Sequence, residues 1–405
     1  MKILIINKFH YLRGGSERAV FDLAKLLEDN GHEVINFSMQ DEKNIASKYD
    51  KYFIKHVNLE KFNLINVIKF FYNYQAVGNL KKLIKDKKPD VAHLHNIAHQ
   101  SSPAIIKVLK NNNIPVVQTL HDYKLICPNS KLYSRNEICE RCLGGKYYKC
   151  FLRKCMHGSR LKSLLGMLEA YLNNKILKYY EQVDLFIAPS IFLKSKYEEF
   201  GIKNKIVYLA NPLTQKIDKK NIFETTEKYI LYFGRLTPEK GIDILIKAYA
   251  NLHTEFKLYI LGDGPMKKDL EFLTKNLGIA DRVNFISYKS GQELQKIKRR
   301  AEFIVVPSLW YENAPYSVIE AMAMGKTVIA SELGGLKEMI RHGVDGFLYK
   351  ADDITELTKI MEYVISHPEL KNTIGSQAIK SVSLKNDPQK YYTRLFDAYK
   401  LANIK

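Results

Sequence analysis

Glu312 and Glu320 bracket the stretch Glu312-Asn313-Ala314-Pro315-Tyr316-Ser317-Val318-Ile319-Glu320, which follows the apolar run Phe303 to Val306 and Pro307-Ser308. Pro315 suits the first turn of a helix, where a missing N–H costs nothing and the remaining free amides can bind an anion. Glu320 then sits about one turn into that helix and Glu312 in the loop before it. Two carboxylates so placed could hold hydroxyls at separate parts of one ligand, with a phosphate between them at the helix start. Spacing alone equally fits two surface glutamates around an ordinary helix. Arg235 and Lys240 lie in a turn after a second apolar run, Tyr229 to Phe233. Fixed cations there would offset the charge that develops on a departing phosphate, Arg through a bidentate fork and Lys as a mobile point charge. Solvated surface cations are the plain alternative. Gly14-Gly15 permits close backbone approach where a first helix begins. Gly262-Asp263-Gly264 has the look of a dinucleotide fingerprint, but Lys267 stands where its third glycine belongs, which argues against a nicotinamide dehydrogenase. His121 closes a strand at an expected ligand-binding edge. Cys127, Cys139, Cys142, Cys150 and Cys155 fall in one Gly/Lys/Tyr-rich stretch, and Cys139-Glu-Arg-Cys142 has the spacing of half a zinc knuckle. Structural zinc on Cys127, Cys139, Cys142 and Cys155, reduced thiols, and a disulfide or redox pair all remain open on this spacing; four Cys ligands would leave no open position for catalysis.

The elements that must position these residues alternate. Ile3 to Ile6 reads as a buried strand, Ser16 to Asn30 as a helix stopped by Gly31, and Val34 to Phe37 as the next strand. A helix near 79–87, strand Val91 to Leu94, helix Pro103 to Lys110 and strand Val116 to Leu120 continue the pattern. Helix 160–180, strand Leu185 to Ala188 and a helix around 192–199 complete the first half. The second half starts afresh with strand Tyr229 to Phe233 and helix Gly241 to Leu252. Strands Lys257 to Leu261, 283–286, 303–306 and 327–330 follow, interleaved with helices 266–276, 291–301 and 316–323. Short apolar strands alternating with helices predict parallel sheets covered on both faces. The expected fold is therefore α/β: two tandem doubly wound, Rossmann-like domains facing a cleft. The domains are 1–212, carrying a Cys-rich insertion at 127–155, and 213–385. Residues 386–405 form a C-terminal helix packing back on the first domain. The polar stretch Asn211 to Lys228 is the linker.

At 405 residues, with 46% apolar and 26% charged residues, the chain has the makeup of a two-domain globular protein, not a disordered or disulfide-stapled one. No window supplies the ~18 consecutive apolar residues of a membrane span, and Ile3 to Ile6 is too short for the apolar core of a signal peptide. The expectation is a cytoplasmic protein with reduced thiols unless a metal holds them. Of the net charge of +20, residues 1–212 hold 34 Lys and Arg against 19 Asp and Glu. Such a basic half faces an anionic partner or merely carries Lys-rich helix faces. Segment Phe62 to Lys88 mixes Phe, Ile, Leu and Tyr with Lys in helical order, as basic amphipathic helices on anionic bilayers do.

Taken together, the ordered motifs resemble those of retaining GT-B glycosyltransferases of the large family 4 (group 1). They are Gly14-Gly15-Ser-Glu17, Thr119-Leu-His121-Asp122, Phe233-Gly234-Arg235-Leu-Thr-Pro-Glu-Lys240-Gly241 and Leu261-Gly262-Asp263-Gly264-Pro265. The last is Pro307 to Ala323 with Gly325, Gly334-Gly335 and Glu338. Some polysaccharide-assembling members carry a similar Cys-rich insertion. The resemblance implies a nucleotide-diphospho-sugar donor, held mainly by the second domain, and a glycan or lipid-linked acceptor on the basic first one. It implies His121 at the donor sugar, Arg235 and Lys240 at the pyrophosphate, Glu312 near the sugar and Glu320 on the ribose. Gly14, Gly15, Gly234, Asp263, Ser287, Asn313, Ala314, Pro315, Tyr316 and Ser317 line the rest of the donor site. No cofactor is required for the chemistry. The chain has no Asp-x-Asp pair of the kind that chelates metal in the other common transferase fold. The resemblance also implies work on the inner face of the cell membrane, on a surface polysaccharide. Thr327 stands where Pro is usual and Ser287 where Gly often stands, which bears on donor preference; a uridine-diphosphate sugar is favoured. A nucleotide-sugar epimerase of the same fold would need more acid/base groups than His121, Glu312 and Asp263, and a nucleic-acid-binding protein would have no need of Arg235, Lys240 or Glu312.

Overall fold

A computed structural model of the chain describes residues 1–58, 64–215 and 227–402. Most of the expected linker, and Phe62 at the head of the amphipathic segment, lie outside the described residues. The chain forms two compact units. The first comprises residues 1–132, 139–214 and 388–405, and the second residues 133–138 and 215–387. The boundary near residue 214 falls two residues beyond the one expected from the sequence.

In the first unit, strands β1 (Lys2–Ile6), β2 (Glu33–Phe37), β3 (Val91–Leu94) and β4 (Val116–Thr119) form one parallel sheet with two later strands. Between them run helices α1 (Gly15–Asp29), α2 (Leu64–Phe71), α3 (Tyr74–Lys87) and α4 (Ala104–Asn111). A short hairpin, β5 (Tyr133–Ser134) with β6 (Glu137–Ile138), groups with the second unit. Its turn places Arg135 and Asn136 at φ 56° and 59°, the mirror-image turn that suits a two-residue hairpin. Helices α5 (Tyr148–Leu152) and α6 (Arg160–Tyr171) follow, then β7 (Leu185–Ala188), α7 (Ile191–Glu199) and β8 (Ile206–Tyr208). The sheet order is β2-β1-β3-β4-β7-β8, so the order reverses between β1 and β3.

The second unit has strands β9 (Tyr229–Phe233), β10 (Lys257–Leu261), β11 (Val283–Ile286), β12 (Phe303–Val306), β13 (Thr327–Ser331) and β14 (Phe347–Tyr349). Its helices are α8 (Ile242–Ala250), α9 (Lys267–Asn276), α10 (Gly291–Arg300), α11 (Tyr316–Ala323), α12 (Leu336–Met339), α13 (Ile354–Ser366) and α14 (Leu370–Lys385). All ladders are parallel and the order is β11-β10-β9-β12-β13-β14, reversing between β9 and β12. Each unit is thus doubly wound. In such sheets the crevice for a ligand opens at the carboxyl ends of the strands that flank the reversal.

The helix expected over 160–180 is shorter. It ends at Tyr171, passes through a π-helical turn at Leu172–Ile176, and Lys178 takes φ 49°. Asn173 and Asn174 spend their side-chain amides on Glu169 and on the Leu125 carbonyl, contacts that compete with a regular ladder. The last helix, α15 (Pro388–Leu401), belongs to the first unit. Its Tyr391, Leu395, Ala398 and Tyr399 join Val20, Leu23 and Leu27 of α1 and Ile3 and Ile5 of β1 in one core. Leu395 is wholly buried there. Truncating it to Ala leaves a cavity, and such losses run about 2–5 kcal/mol. Urea denaturation of Leu395→Ala should show a midpoint lowered accordingly; an unchanged midpoint would mean that α15 contributes nothing to the core.

Candidate active site

Arg235, Lys240 and Glu312 sit on the loops that leave β9 and β12, at the reversal of the second unit's sheet. Close approach of these loops depends on Gly241, which follows Lys240 at φ 63°, a conformation that side-chain-bearing residues avoid. A Cβ there would lie 2.1 Å from the Pro307 carbonyl oxygen of the β12 loop. Across this contact the Lys240 ammonium is 2.5 Å from Glu312 Oε1, and the Ser308 hydroxyl donates to the same oxygen at 2.6 Å. Lys240 also lies 5.2 Å from the Trp310 ring centroid. Behind the loop, the Gly335 amide donates to the Glu312 carbonyl at 2.7 Å, and a Cβ on Gly335 would stand 1.7 Å from the Asn313 carbonyl oxygen. Burial by itself would raise the Glu312 carboxyl. The charge of Lys240 and the hydrogen bonds from Lys240 and Ser308 outweigh it and hold the group below its ordinary value.

Pro315 is the N-cap of α11, one position earlier than a first-turn proline, and no side chain caps the helix there. Asn313, Ala314 and Ser317 are half-buried around this start, and Tyr316 is buried. Glu320, inside α11, meets a partner that the sequence reading missed. Lys298 of α10 has no exposed side-chain surface, and its ammonium lies 2.6 Å from Glu320 Oε2 and 5.4 Å from the Phe233 ring centroid. Nothing in a helix reading Lys296-Ile297-Lys298-Arg299-Arg300 sets this lysine apart from its solvated neighbours. Asp263 and Ser287 form a separate group: Lys267 lies 3.6 Å from Asp263 Oδ1 and donates to the Ser287 hydroxyl at 3.3 Å, and the Tyr288 amide donates to Asp263 at 2.8 Å. Gly234 and Arg235 are exposed, and Arg235 makes no ion pair among the described residues.

In the first unit, Gly14 and Gly15 are exposed at the start of α1, with Gly14 as an N-cap that offers no side-chain bond. His121, just beyond β4, shares a hydrogen bond of 2.8 Å between its Nε2 and His95 Nδ1. The His95 ring stacks on His121 at 5.1 Å and on His93 at 4.7 Å, so three imidazoles lie in one column. His93 in turn bonds Thr119 Oγ1 at 2.7 Å and Tyr399 OH of α15 at 2.8 Å. Burial pushes His93 down to about 3 and His121 down to about 4, with His95 well below its ordinary value. The column is therefore neutral at physiological pH and supplies hydrogen bonds without charge. His93-Leu-His95 ends β3, so the alternation of two His at a strand's carboxyl end was a usable signal for this partnership.

The cysteines of the expected zinc set are neighbours: Cys127, Cys139 and Cys155 all lie within electrostatic reach of Cys142. Cys142 and Cys150 are buried with Tyr147 and Ala170, against Cys155 and Met156, and the Cys127 thiol donates to Asn129 Oδ1 at 2.9 Å. All five are free thiols, and among the described residues no three His, Cys, Asp or Glu side chains are grouped to hold a metal. Burial pushes the Cys127 thiol up to about 11 and raises Cys142. Cys150 is raised by its hydrogen bond with Cys155 and by burial. Burial thus favours the protonated form of Cys127, Cys142 and Cys150, and a zinc ion, which takes thiolates, would have to displace those protons.

Two doubly wound units, each with polar loops at its sheet reversal, form the architecture that comparison with known proteins assigns to a family. Residues 13–214 match the family described as Glycosyltransferase Family 4, and residues 214–381 match Glycosyl transferases group 1. The chain belongs to the group 1 glycosyltransferases and has their GT-B fold. It is 27% identical over 378 residues to an uncharacterized glycosyltransferase of Methanocaldococcus jannaschii, covering 93% of this chain and 91% of that protein. It is 24% identical over 388 residues to the N-acetyl-alpha-D-glucosaminyl L-malate synthase of Bacillus anthracis, covering 91% and 89%. A Campylobacter jejuni N-acetylgalactosaminyltransferase whose name specifies a glycan on PP-undecaprenol is 27% identical over 220 residues, covering 52% of this chain and 60% of that protein. Among solved structures, Anabaena HepE in complex with UDP superposes with a TM-score of 0.65 at 18% identity, covering 99% of this chain and all of that one. Sucrose-phosphate synthase from Thermosynechococcus elongatus reaches 0.72 at 20% identity, covering 98% of each.

The histidine column makes stability depend on pH. Unfolded histidines titrate near 6.5, while His93 and His121 stay neutral in the fold down to about 3 and about 4. Below pH 6.5 the unfolded chain binds protons that the folded one refuses. Stability is fully present above that pH and falls as pH drops towards the folded values, by up to about 1.4 kcal/mol per pH unit for each such group. Urea midpoints measured from pH 7 to pH 4.5 should fall, and a His93→Gln variant should flatten the slope. A slope untouched by this change would show that the column is not what refuses protons.

Proposed function

We propose that the protein transfers a sugar with retention of configuration from a uridine-diphosphate sugar to a lipid-linked glycan, as a step of surface polysaccharide assembly. The observation that carries this reading is the Lys240–Glu312 pair at the sheet reversal of the second unit, beside the exposed Arg235 and the uncapped start of α11. The UDP complex of HepE supports the nucleotide, and the Campylobacter relative supports the acceptor class. In this reading the donor diphosphate lies between Arg235, Lys240 and the first amides of α11. Glu312, kept ionised by Lys240, accepts hydroxyls of the sugar, and Glu320 accepts those of the ribose. His121, held by His95, bonds the sugar as a neutral imidazole. The acceptor oxygen attacks from the face that the phosphate leaves. The anomeric carbon–phosphate oxygen bond breaks as the new glycosidic bond forms, and the acceptor's proton passes to the departing diphosphate. The protein's part is to hold both partners and to stabilise negative charge on the leaving group.

Arg235→Ala removes an exposed cation that no fold contact uses, so it should melt like the parent. Its turnover at saturating donor should fall about 10²–10³-fold, the usual cost of one charge-stabilising contact to a transition state. Near-full turnover would remove Arg235 from the diphosphate. Lys240→Met differs, because it strands the buried Glu312 without its counter-ion and should lower both melting temperature and turnover. Among the carboxylates, Glu320→Gln should mainly weaken nucleoside-diphosphate affinity, and Glu312→Gln should mainly lower turnover. Equal effects on that affinity would end this division of roles.

The site of action in this reading is the inner, anionic face of the cell membrane, with the protein docked peripherally. Support comes from α2, which exposes Leu64, Ile65 and Ile68 beside the exposed Tyr72 and Tyr74, and from the lysines Lys81, Lys82 and Lys85 on α3. Among the described residues no helix is long and apolar enough to cross a membrane. Apolar insertion with a basic surround gives salt-sensitive binding, about 1 kcal/mol for each well-placed cation. The protein should sediment with anionic but not neutral vesicles at low salt, and Ile65→Glu with Ile68→Glu should abolish this. Indifference to lipid charge would refute the docking.

A further inference from the structure

The reversal of the first sheet, between β1 and β3, carries two cations that form no ion pair at contact distance, although Glu17 and Asp122 lie within electrostatic reach of Lys8. Lys8 and Arg13 lie on the loop from β1 to α1, and Phe9 holds both: the Lys8 ammonium is 5.0 Å and the Arg13 guanidinium 4.6 Å from its ring centroid. Neither makes an ion pair or a side-chain hydrogen bond among the described residues. The neighbouring charges are committed elsewhere. Glu17 accepts from the Ser16 hydroxyl at 3.1 Å, Asp122 accepts from the Lys124 amide at 2.8 Å, and Lys124 is paired with Glu169 at 2.8 Å. Burial raises both the Glu17 and the Asp122 carboxyls, so each is a weakened counter-charge. Burial, and then the charge of Arg13, push the Lys8 ammonium down to about 8. His99, just beyond β3, is within electrostatic reach of Lys8 and has an Nε2 with no partner. The uncapped start of α1 follows directly at Gly14.

The second unit shows what a satisfied arrangement looks like. At its reversal Lys240 has Glu312, and deeper in the unit Lys298 has Glu320. The first unit leaves the corresponding position cationic, aromatic-backed and rich in N–H donors. We propose that this crevice binds a phosphoryl group of the acceptor substrate, through Lys8 and Arg13. A planar guanidinium fork, a point-charge ammonium and backbone amides together offer donors in several directions, which matches the tetrahedral oxygens of a phosphate better than the two coplanar oxygens of a carboxylate. The inference rests on the glycosyltransferase reading above, with the donor diphosphate on the second unit, and adds that the acceptor is a phosphate or diphosphate ester.

The test titrates the full-length protein, saturated with UDP, with inorganic pyrophosphate in a calorimeter at fixed ionic strength. Wild type, Lys8→Met, Arg13→Met and the conservative Arg13→Lys are compared, and UDP affinity and melting temperature are measured on the same preparations. Pyrophosphate should bind the UDP-saturated wild type and bind each Met variant about tenfold or more weakly, with partial recovery in Arg13→Lys, while UDP affinity stays within about twofold. Equal binding by the Met variants overturns the proposal. So does competition between pyrophosphate and UDP, which would assign the two cations to the donor instead. Binding of methyl glucuronide as tight as that of pyrophosphate overturns the phosphoryl assignment. Failure of the wild type to bind UDP at all would sink the broader functional reading, a result distinct from each of these.

Discussion

A buried carboxylate is tolerable only when a cation and hydrogen bonds meet it, and the centre of the second unit is organised around that requirement. Glu312 is almost fully enclosed, so without Lys240 it would protonate and lose its capacity to accept two hydroxyls at once. Lys240 can arrive only because Gly241 lets the β9 loop run against the Pro307 carbonyl, and Glu312 stays in place because Gly335 lets a second backbone press on Asn313. The electrostatics of the site are therefore fixed by backbone contacts that exclude side chains. Glycines at these positions act on charge by controlling distance.

The same logic recurs one helix away, with a different consequence. Lys298 is fully enclosed and reaches Glu320 from α10, so the orientation of Glu320 is held by a neighbouring helix. Glu312 shares its cation with a loop that a diphosphate would approach, whereas Glu320 shares its cation with the interior. In the proposed reading, one carboxylate is responsive to bound phosphate and the other is fixed beforehand. A site that must release one product and admit a new donor gains from having both kinds.

Strands such as Val91–Leu94, Leu185–Ala188, Tyr229–Phe233 and Lys257–Leu261 were readable to the residue, because strands of a parallel sheet are mostly apolar runs bounded by polar or turn-forming residues. The three-residue edge strands Ile206–Tyr208 and Phe347–Tyr349 were not, since a run of three carries no period. Glu312, Lys240 and Glu320 stood out in the sequence through the family resemblance, since charge and spacing alone fitted solvated surface as well. Their partners did not: Lys298 looks like any lysine on a basic helix, and Ser308 like any serine after a proline. Pairing across elements distant in sequence is a property of topology. The cysteines were legible as a cluster from their spacing, but their packing partners, aromatic and methionine side chains, were not.

The return of α15 to the first unit has a genetic corollary. The segments that match the two family descriptions meet at residue 214 and stop at residue 381, so the sequence looks like two modules that could be exchanged at a single junction. The fold is not cut that way. The first unit is written in three pieces of the gene, residues 1–132, 139–214 and 388–405, with all of the second unit except the 133–138 hairpin inserted before its final helix. Swapping halves at residue 214 would pair one protein's α1 with another's α15, putting Val20, Leu23 and Leu27 against a helix surface selected beside a different partner. Recombination that preserves the core must make two crossovers, exchanging the second unit as a cassette and leaving both ends of the chain of common descent.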